Sequence, residues 1–276
     1  MTDRYAVVGN PIAHSRSPAI HARFAAQTGQ DLRYEALLAP LDGFEAVVRD
    51  FAAAGGCGLN VTVPFKERAF ALADRRSPRA QAAGAANTLI FASCEVLADN
   101  TDGVGLVRDL TARHGLALAG ASVLLLGAGG AASGVIEPLL AAGVRELRIL
   151  NRTAERAQAL AARFADPRLS GAGFEGLTDA ARQGAVLINA TSAGLAGEAP
   201  PVPAAVFEAS CFAYDMVYGA QPTAFLRAAA AAGCPAMADG LGMLVEQAAE
   251  SFRLWRGVMP DTEPVYRALR EAIGRP

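Results

Sequence analysis

The amino-acid sequence predicts an α/β fold in which the second half is a doubly wound parallel sheet. In the first third, short apolar strands alternate with amphipathic helices, which is typical of α/β domains. From residue 121 onward, continuous apolar runs alternate with helical stretches, as in strands buried on both faces. Hydrophobic residues make up 52% of the 276 residues and charged residues 19%, which is typical of a globular protein, and the length is enough for one large domain or two modest ones, each with its own core.

The first predicted elements are a strand and a helix. Residues 5–8 form an apolar strand that a Gly-Asn-Pro turn ends. Ser17 and Pro18 have the residue types of a helix N-cap and first helical position. The helix that they begin is expected to run to Gly29.

A second helix and strand complete the first third. Asp42 and Glu45 have the spacing of a capping box before a helix that Gly55 and Gly56 end. Residues 59–63 then predict a strand.

The remaining elements follow the same logic. Asp102 is expected to begin a helix that Gly115 ends. Apolar strands are predicted at residues 121–126, 147–150, 185–188 and 211–216. A helix is expected at 154–164, and another from Leu241 to the stop signal at Gly257.

Composition excludes several classes of protein. The net charge is −2 and no basic run occurs, so nucleic-acid binding has no electrostatic basis. Every apolar run is shorter than the ~18 residues of a membrane helix, and no leader composition is present. The three histidines do not cluster with Cys57, Cys94, Cys211 or Cys234, so we expect no metal site, reduced thiols and a cytoplasmic location.

A glycine-rich loop follows the strand at 121–126. Its residues are Gly127, Ala128, Gly129, Gly130, Ala131 and Ala132. They fit GxGxxA, a variant of the dinucleotide-binding loop, in which glycines let backbone N–H groups approach a pyrophosphate at a helix N-terminus. A glycine-rich turn without a ligand is the alternative, which the position between a buried strand and a helix disfavours.

The end of the next strand indicates which dinucleotide binds. An NAD site needs an acidic residue there, but this strand ends in Asn151, Arg152 and Thr153, with Arg156 one turn later. Guanidinium groups bind phosphate, so these residues favour the 2′-phosphate of NADP. An ion pair of Glu155 with either arginine would weaken this prediction.

Lys66 is the only lysine among 25 basic residues. An ammonium can release its proton, whereas a guanidinium stays charged. A single lysine in an arginine-rich chain therefore indicates a position where arginine cannot substitute, unless it remains there by chance.

Nine segments together resemble shikimate dehydrogenase, in the family's order and at comparable spacing. They are residues 9–18, 60–66, 84–88, 100–103, 127–132, 151–153, 189–192, 215–218 and 239–248. The resemblance covers about residues 4–265. It implies a substrate domain of residues 1–103 and 240–276, with C-terminal helices packed back on it, and a Rossmann-type NADP-binding domain of residues 104–239. The implied reaction is NADPH-dependent reduction of 3-dehydroshikimate to shikimate in aromatic amino-acid biosynthesis, by a monomer or homodimer.

The resemblance also implies roles for individual residues. Lys66 and Asp102 would form the catalytic pair, although Asp102 also suits a helix N-cap. Ser15, Ser17 and Tyr218 would bind the substrate carboxylate. Ring hydroxyls would be bound by Thr62, Asn87 and Gln247. The nicotinamide side would be lined by Asn189, Thr191, Met216, Gly240 and Met243.

Other activities stay open on the sequence. A quinate/shikimate or aminoshikimate dehydrogenase using NAD(P) shares most of these features. A non-catalytic dinucleotide-binding sensor does not need both Lys66 and Asp102. Another two-domain hydride-transfer enzyme would share the fold, but the polar residues at 15, 17, 87 and 247 favour a carboxylated polyol.

Overall fold

The computed structural model describes residues 2–92, 95–181 and 184–274. Cys94 therefore lies outside the described residues, and Cys57, Cys211 and Cys234 are free thiols. Within the described ranges the strands form two sheets of six strands each.

The first sheet is mixed. Its strands are β1 (Asp3–Gly9), β2 (Leu32–Leu38), β3 (Gly56–Val61), β4 (Arg75–Arg76), β5 (Thr88–Ala92) and β6 (Glu95–Asp99). Their order is β2-β1-β3-β5-β6-β4, with β1 parallel to both neighbours and β5 antiparallel to β3 and β6. The antiparallel pairing brings Asn60 of β3 opposite Thr88 of β5.

The second sheet is parallel throughout. Its strands are β7 (Ser122–Leu126), β8 (Glu146–Asn151), β9 (Leu169–Gly173), β10 (Ala185–Asn189), β11 (Ser210–Asp215) and β12 (Met237–Asp239). The order β12-β11-β10-β7-β8-β9 is that of a doubly wound Rossmann sheet, with its switch point between β7 and β10. Both β7 and β10 are buried along their full length, as the continuous apolar runs predicted. The predicted fold class is confirmed.

Helices cover both sheets. In chain order they are α1 (Ser17–Thr28), α2 (Phe44–Ala53), α3 (Lys66–Leu72), α4 (Pro78–Ala83), α5 (Asp102–Arg108), α6 (Gly130–Ala141), α7 (Ala154–Ala162), α8 (Leu177–Ala180), α9 (Ala204–Ala209), α10 (Ala224–Ala231), α11 (Leu241–Arg256) and α12 (Glu263–Gly274). A π-helical turn, Asp109–Arg113, continues α5. Within that turn the buried Asp109 carboxylate accepts hydrogen bonds from Tyr214 of β11 at 2.7 Å and from Arg113 at 3.0 Å.

The C-terminal helices return to the first half of the chain, as the resemblance implied. Ile20 and Phe24 of α1 share one core with residues of α11 and α12. The α11 members of that core are Leu241, Val245, Ala248, Ala249 and Phe252, which recur at helical spacing. This packing brings Gln247, on the same helix, to the first sheet.

Two predicted helix starts and one strand end are wrong in detail. Arg16, not Ser17, occupies the N-cap position of α1, and its side chain makes no capping bond. Helix α2 begins after Gly43, and Glu45 does not close a capping box because its carboxylate binds Arg68. Strand β3 covers Gly56–Val61, and the chain leaves the sheet before the Val63–Pro64 bond.

No helix among the described residues has the length and apolar character needed to cross a membrane.

Candidate active site

A cleft lies between the two sheets, where strands of both sheets end. Val61, the last residue of β3, lines this cleft, and so do Gly127, Ala190 and Met216, which follow β7, β10 and β11. In open α/β sheets ligands bind at such carboxyl ends, near the switch point. The cleft has a volume of about 1080 Å³, larger than the ~300–1,000 Å³ typical of a single small-molecule site.

Lys66 and Asp102 meet on the first-sheet side of this cleft. Lys66 begins α3, after Phe65, which is fully buried and stacks on Phe44 with ring centroids 4.8 Å apart. The Lys66 Nζ lies 2.6 Å from Asp102 Oδ2, and the two side chains are only 24% and 8% exposed. Lys66 is therefore not a solvated residue at a helix start, and removal of either partner would leave an unpaired, largely buried charge.

The surroundings of Asp102 orient its carboxylate. Asn87 Nδ2 donates to Asp102 Oδ1 at 2.8 Å, and the Asp102 N–H donates to Asn100 Oδ1 at 3.1 Å. Thr101 holds the N-cap position of α5 and Asp102 is the first helical residue, so the N-cap interpretation of Asp102 is wrong. Both oxygens of Asp102 thus have donors, and one of them is the Lys66 ammonium.

Asn87 and Gln247 connect across the fold. Asn87 is 2% exposed, and its Nδ2 lies 3.1 Å from Gln247 Oε1 on α11. Gln247 Nε2 donates to the carbonyl of Leu244 at 2.9 Å. Both predicted substrate-binding amides therefore line the cleft beside the Lys66–Asp102 pair.

Ser15, Ser17 and Tyr218 line another part of the cleft. The Ser17 N–H donates to Ser15 Oγ at 3.3 Å, which holds the two hydroxyl groups close together. Burial raises the pKa of Tyr218, and the nearby Arg16 cation lowers it only in part. The Tyr218 hydroxyl is thus a neutral hydrogen-bond donor at pH 7, as recognition of a carboxylate requires.

Thr62 packs tightly against the end of β1. Its N–H donates to the carbonyl of Val8 at 3.0 Å. A Cβ built on Gly9 would lie 2.4 Å from Thr62 Cγ2, so glycine is required for this approach. The contact fixes Thr62 at the cleft wall.

The glycine loop at the start of α6 fits a dinucleotide pyrophosphate. Gly127 has φ +107°, and its hypothetical Cβ would lie 3.1 Å from the carbonyl oxygen of Ala190. A Cβ at Gly129 or Gly130 would meet nothing within 4 Å. Helix α6 has no side-chain cap and no acidic residue in its first turn, so its positive end faces the open cleft lined by Ala128 and Ala131.

The end of β8 carries the predicted 2′-phosphate residues. Asn151 Nδ2 donates to the carbonyl of Thr153 at 3.0 Å and holds the turn. Arg152 and Arg156 are exposed and line the cleft. Among the residues that the structure describes, neither arginine forms an ion pair with Glu155, so both guanidinium groups are available to an anion.

Four of the five residues predicted for the nicotinamide side line the cleft. These are Thr191, Met216, Gly240 and Met243. Asn189 does not line it, because the side chain is fully buried. Its Oδ1 accepts from the Thr191 N–H at 3.1 Å and the Thr191 hydroxyl at 2.7 Å, while Nδ2 donates to Asp215 at 3.0 Å. Asn189 thus supports Thr191 from behind.

Sequence reasoning assigned no role to several residues of this region. Asn60 lines the cleft and precedes Thr62 by two positions, a strand-like spacing that could have indicated it. Thr88, Thr101 and Ser251 lie fully buried behind Asn87. Thr88 and Thr101 lie within the family segments 84–88 and 100–103, but nothing in the local sequence gives them or Ser251 a role, because only sheet pairing and helix packing bring the three together.

Three family models match the chain. They are described as the shikimate dehydrogenase substrate binding domain, at residues 7–89, shikimate/quinate 5-dehydrogenase, at 109–196, and the shikimate 5′-dehydrogenase C-terminal domain, at 240–270. The shikimate dehydrogenase (NADP(+)) of Alkalilimnicola ehrlichii is 58% identical over 98% of this chain and 99% of that protein.

Solved structures agree over the whole length. An Ael1 enzyme from Pseudomonas putida is 49% identical, with a TM-score of 0.92 over 97% of this chain and 98% of that one. Shikimate 5-dehydrogenase from Thermus thermophilus, in complex with NADP(H) and shikimate, is 39% identical, with a TM-score of 0.86 over 98% and 100% of the two chains.

Proposed function

Since the chain belongs to the shikimate dehydrogenase family, we propose that it reduces 3-dehydroshikimate to shikimate with NADPH, in a reversible hydride transfer. The product feeds aromatic amino-acid biosynthesis. The observation that carries this proposal is the buried contact of 2.6 Å between Lys66 and Asp102, at a cleft that also holds the glycine loop.

Lys66 and Asp102 are the proposed catalytic pair. When a ketone carbon is reduced, negative charge develops on its oxygen. The Lys66 ammonium stabilises that charge and gives the oxygen its proton. Asp102 holds the ammonium through one oxygen and accepts a hydrogen bond from a ring hydroxyl.

The remaining polar residues recognise the substrate. Ser15, Ser17 and Tyr218 donate hydrogen bonds to its carboxylate, which has four acceptor positions. Thr62, Asn87 and Gln247 bind ring hydroxyls, which both donate and accept as an amide does. Together these groups would discriminate against analogues that lack a hydroxyl, because unpaired buried amides are costly.

NADPH supplies the hydride when it is bound. Residues 127–131 hold its pyrophosphate, and Arg152 and Arg156, with Asn151 and Thr153, hold its 2′-phosphate. Thr191, Met216, Gly240 and Met243 line the nicotinamide side, with Asn189 behind Thr191. A Cβ on Gly240 would lie 2.2 Å from the Met216 carbonyl oxygen, so this wall requires glycine.

We also propose how the chain is divided and where it acts. Residues 1–103 with 240–276 form the substrate domain, and residues 104–239 form the NADP domain. The chemistry of a biosynthetic reductase favours a cytoplasmic enzyme, acting as a monomer or homodimer on a small-molecule substrate without nucleic acid or membrane.

Steady-state kinetics test the proposed function. We expect kcat/KM to be highest for shikimate with NADP+, at least about tenfold above quinate, aminoshikimate or any reaction with NAD+, a preference of about 1.4 kcal/mol. A preference for quinate or NAD+ would support the related dehydrogenases instead. Tight NADPH binding without turnover of any of these substrates would support a sensor.

A further inference from the structure

A row of buried polar side chains runs inward from the cleft wall, which Asn60 and Asn87 line. Asn60 is 6% exposed, Asn87 2% and Thr88 fully buried. Asn60 and Thr88 are direct partners across β3 and β5, and Asn87 immediately precedes Thr88. Buried amides and hydroxyls must satisfy their hydrogen-bonding groups, so the direction of each bond here is constrained.

The Asn60 amide can adopt only one orientation. Its Nδ2 lies 3.1 Å from the carbonyl oxygen of Asn87, which only accepts hydrogen bonds. Its Oδ1 therefore faces the other way, where it accepts from the Tyr34 hydroxyl at 2.7 Å. With its orientation fixed, Asn60 Nδ2 also faces two hydroxyl oxygens, Ser251 Oγ at 3.0 Å and Thr88 Oγ1 at 3.2 Å.

The Asn87 amide oxygen receives the hydrogen of the Thr88 hydroxyl. Thr88 Oγ1 also lies 2.8 Å from Ser251 Oγ, but its 2.9 Å contact with Asn87 Oδ1, an amide oxygen that only accepts, requires Thr88 to donate there. The Thr101 N–H donates to the same Asn87 oxygen, also at 2.9 Å. Two donors therefore hold Asn87 Oδ1 on the side away from Asp102, so that Nδ2 faces Asp102 Oδ1 at 2.8 Å.

We propose that Thr88 is a positioning residue for the catalytic pair. Its hydroxyl, together with the Thr101 N–H, fixes the amide of Asn87, and Asn87 in turn aims the carboxylate of Asp102 at Lys66. A reversed Asn87 amide would set its carbonyl oxygen against that carboxylate and repel it. This inference rests on the proposed function, in which Lys66 and Asp102 carry the chemistry.

Substitutions at Thr88 test the proposal, with shikimate oxidation by NADP+ as the assay. Thr88→Val keeps the shape but removes the hydroxyl. It should lower kcat about tenfold and leave the KM for NADP+ unchanged. Thr88→Ser keeps the hydroxyl and loses a buried methyl group. It should lower the melting temperature but keep kcat within about twofold of the wild type.

A matched control lies in the same cluster. Ser251 Oγ contacts Thr88 Oγ1 at 2.8 Å but has no bond to the Asn87 amide. Ser251→Ala should therefore keep kcat within about twofold of the wild type. A Thr88→Val enzyme with wild-type kcat, or kcat that follows melting temperature across the three variants, would overturn the proposal.

A second readout does not depend on turnover. In a crystal structure of the Thr88→Val variant, we expect Asn87 Nδ2 to move away from Asp102 Oδ1 and Lys66 Nζ to lie outside hydrogen-bond distance of Asp102. Unchanged positions of both side chains would overturn the role of Thr88. A wild-type enzyme without turnover would instead contradict the proposed function, whatever this structure shows.

Discussion

At the scale of single residues, Lys66 carries the proposed chemistry. The sequence singles it out as the sole lysine, and the structure places it in a largely buried contact with Asp102. An arginine at this position would supply charge but would not release a proton. Charge stabilisation and proton transfer together require the ammonium.

Lys66→Ala should lower kcat by about 10³-fold or more, because it removes both a proton donor and the charge facing the developing oxyanion. The KM for shikimate should change little, since other residues bind the carboxylate and hydroxyls. Steady-state kinetics on a variant with a wild-type circular dichroism spectrum measure this. Lys66→Arg serves as the control that keeps the charge, and near-normal turnover in Lys66→Ala would remove lysine from the mechanism.

Arg152→Ala tests the 2′-phosphate assignment. Arg152 is exposed and forms no ion pair with any described residue, so its loss leaves no buried charge unpaired. The Kd for NADPH should rise about tenfold or more, whereas the Kd for NADH should stay the same, because only NADPH carries the phosphate. Equal losses for both cofactors, measured by fluorescence titration, would contradict the assignment.

The glycine loop, the residues that end β8 and Lys66 could be predicted from the sequence pattern, whereas the roles of the substrate-binding and nicotinamide residues were implied by the family resemblance. Asn189 has the right position in the chain, but its side chain turns into the protein and supports Thr191. The contact between Thr88 and Ser251 could not be predicted, because it joins residues 163 positions apart. Patterns of neighbouring residues do not predict contacts between such distant parts of the chain.

At the scale of helices and strands, periodicity predicted the parallel sheet better than the mixed one. Strands β7 and β10 are buried throughout and β11 almost throughout, and they stand out as apolar runs. The antiparallel pair β5 and β6, with five residues in each strand, was not predicted. The capping-box prediction at α2 failed because Glu45 binds Arg68, a tertiary contact 23 residues away.

Close packing of α11 on β3 gives an element-scale prediction. A Cβ at Gly58 would lie 2.5 Å from Trp255 Nε1 and 2.7 Å from the Leu89 carbonyl oxygen. Gly58→Ala should therefore lower the free energy of unfolding by about 2 kcal/mol, as overpacking does. Urea denaturation measures the change. Gly274→Ala, where a Cβ meets nothing within 4 Å, should change stability by less than about 0.5 kcal/mol, and equal effects of both would contradict this packing argument.

At the scale of the whole molecule, Glu250 joins three helices. Its carboxylate is 2% exposed and binds Arg79 of α4 at 3.1 Å, Arg108 of α5 at 2.9 Å and Arg253 of α11 at 2.7 Å. Burial alone would raise the pKa of Glu250, but these three arginines lower it to about 2. The C-terminal helix α11 is thus tied by charge, as well as by apolar packing, to the first half of the chain.

This network predicts how stability depends on pH. The pKa of Glu250 is about 2 in the folded protein and 4.5 for the unperturbed group, so the unfolded chain binds its proton first. The contribution to stability is complete above pH 4.5 and is lost as pH falls from 4.5 towards 2, by about 3 kcal/mol. Denaturant titrations across this range should show a shallower acid loss in Glu250→Gln than in the wild type. Identical pH slopes would contradict the role of this carboxylate.

A crystal structure of the protein with NADP+ and shikimate bound together tests the roles of Lys66 and Asp102 most directly. Lys66 Nζ should lie within hydrogen-bond distance, about 2.6–3.2 Å, of the substrate hydroxyl that is oxidised. Asp102 should lie within the same distance of the neighbouring ring hydroxyl. The substrate carboxylate should contact Ser15 and Ser17, and the 2′-phosphate should contact Arg152. A structure in which Lys66 and Asp102 point into bulk solvent, away from the bound shikimate, would contradict their proposed catalytic roles.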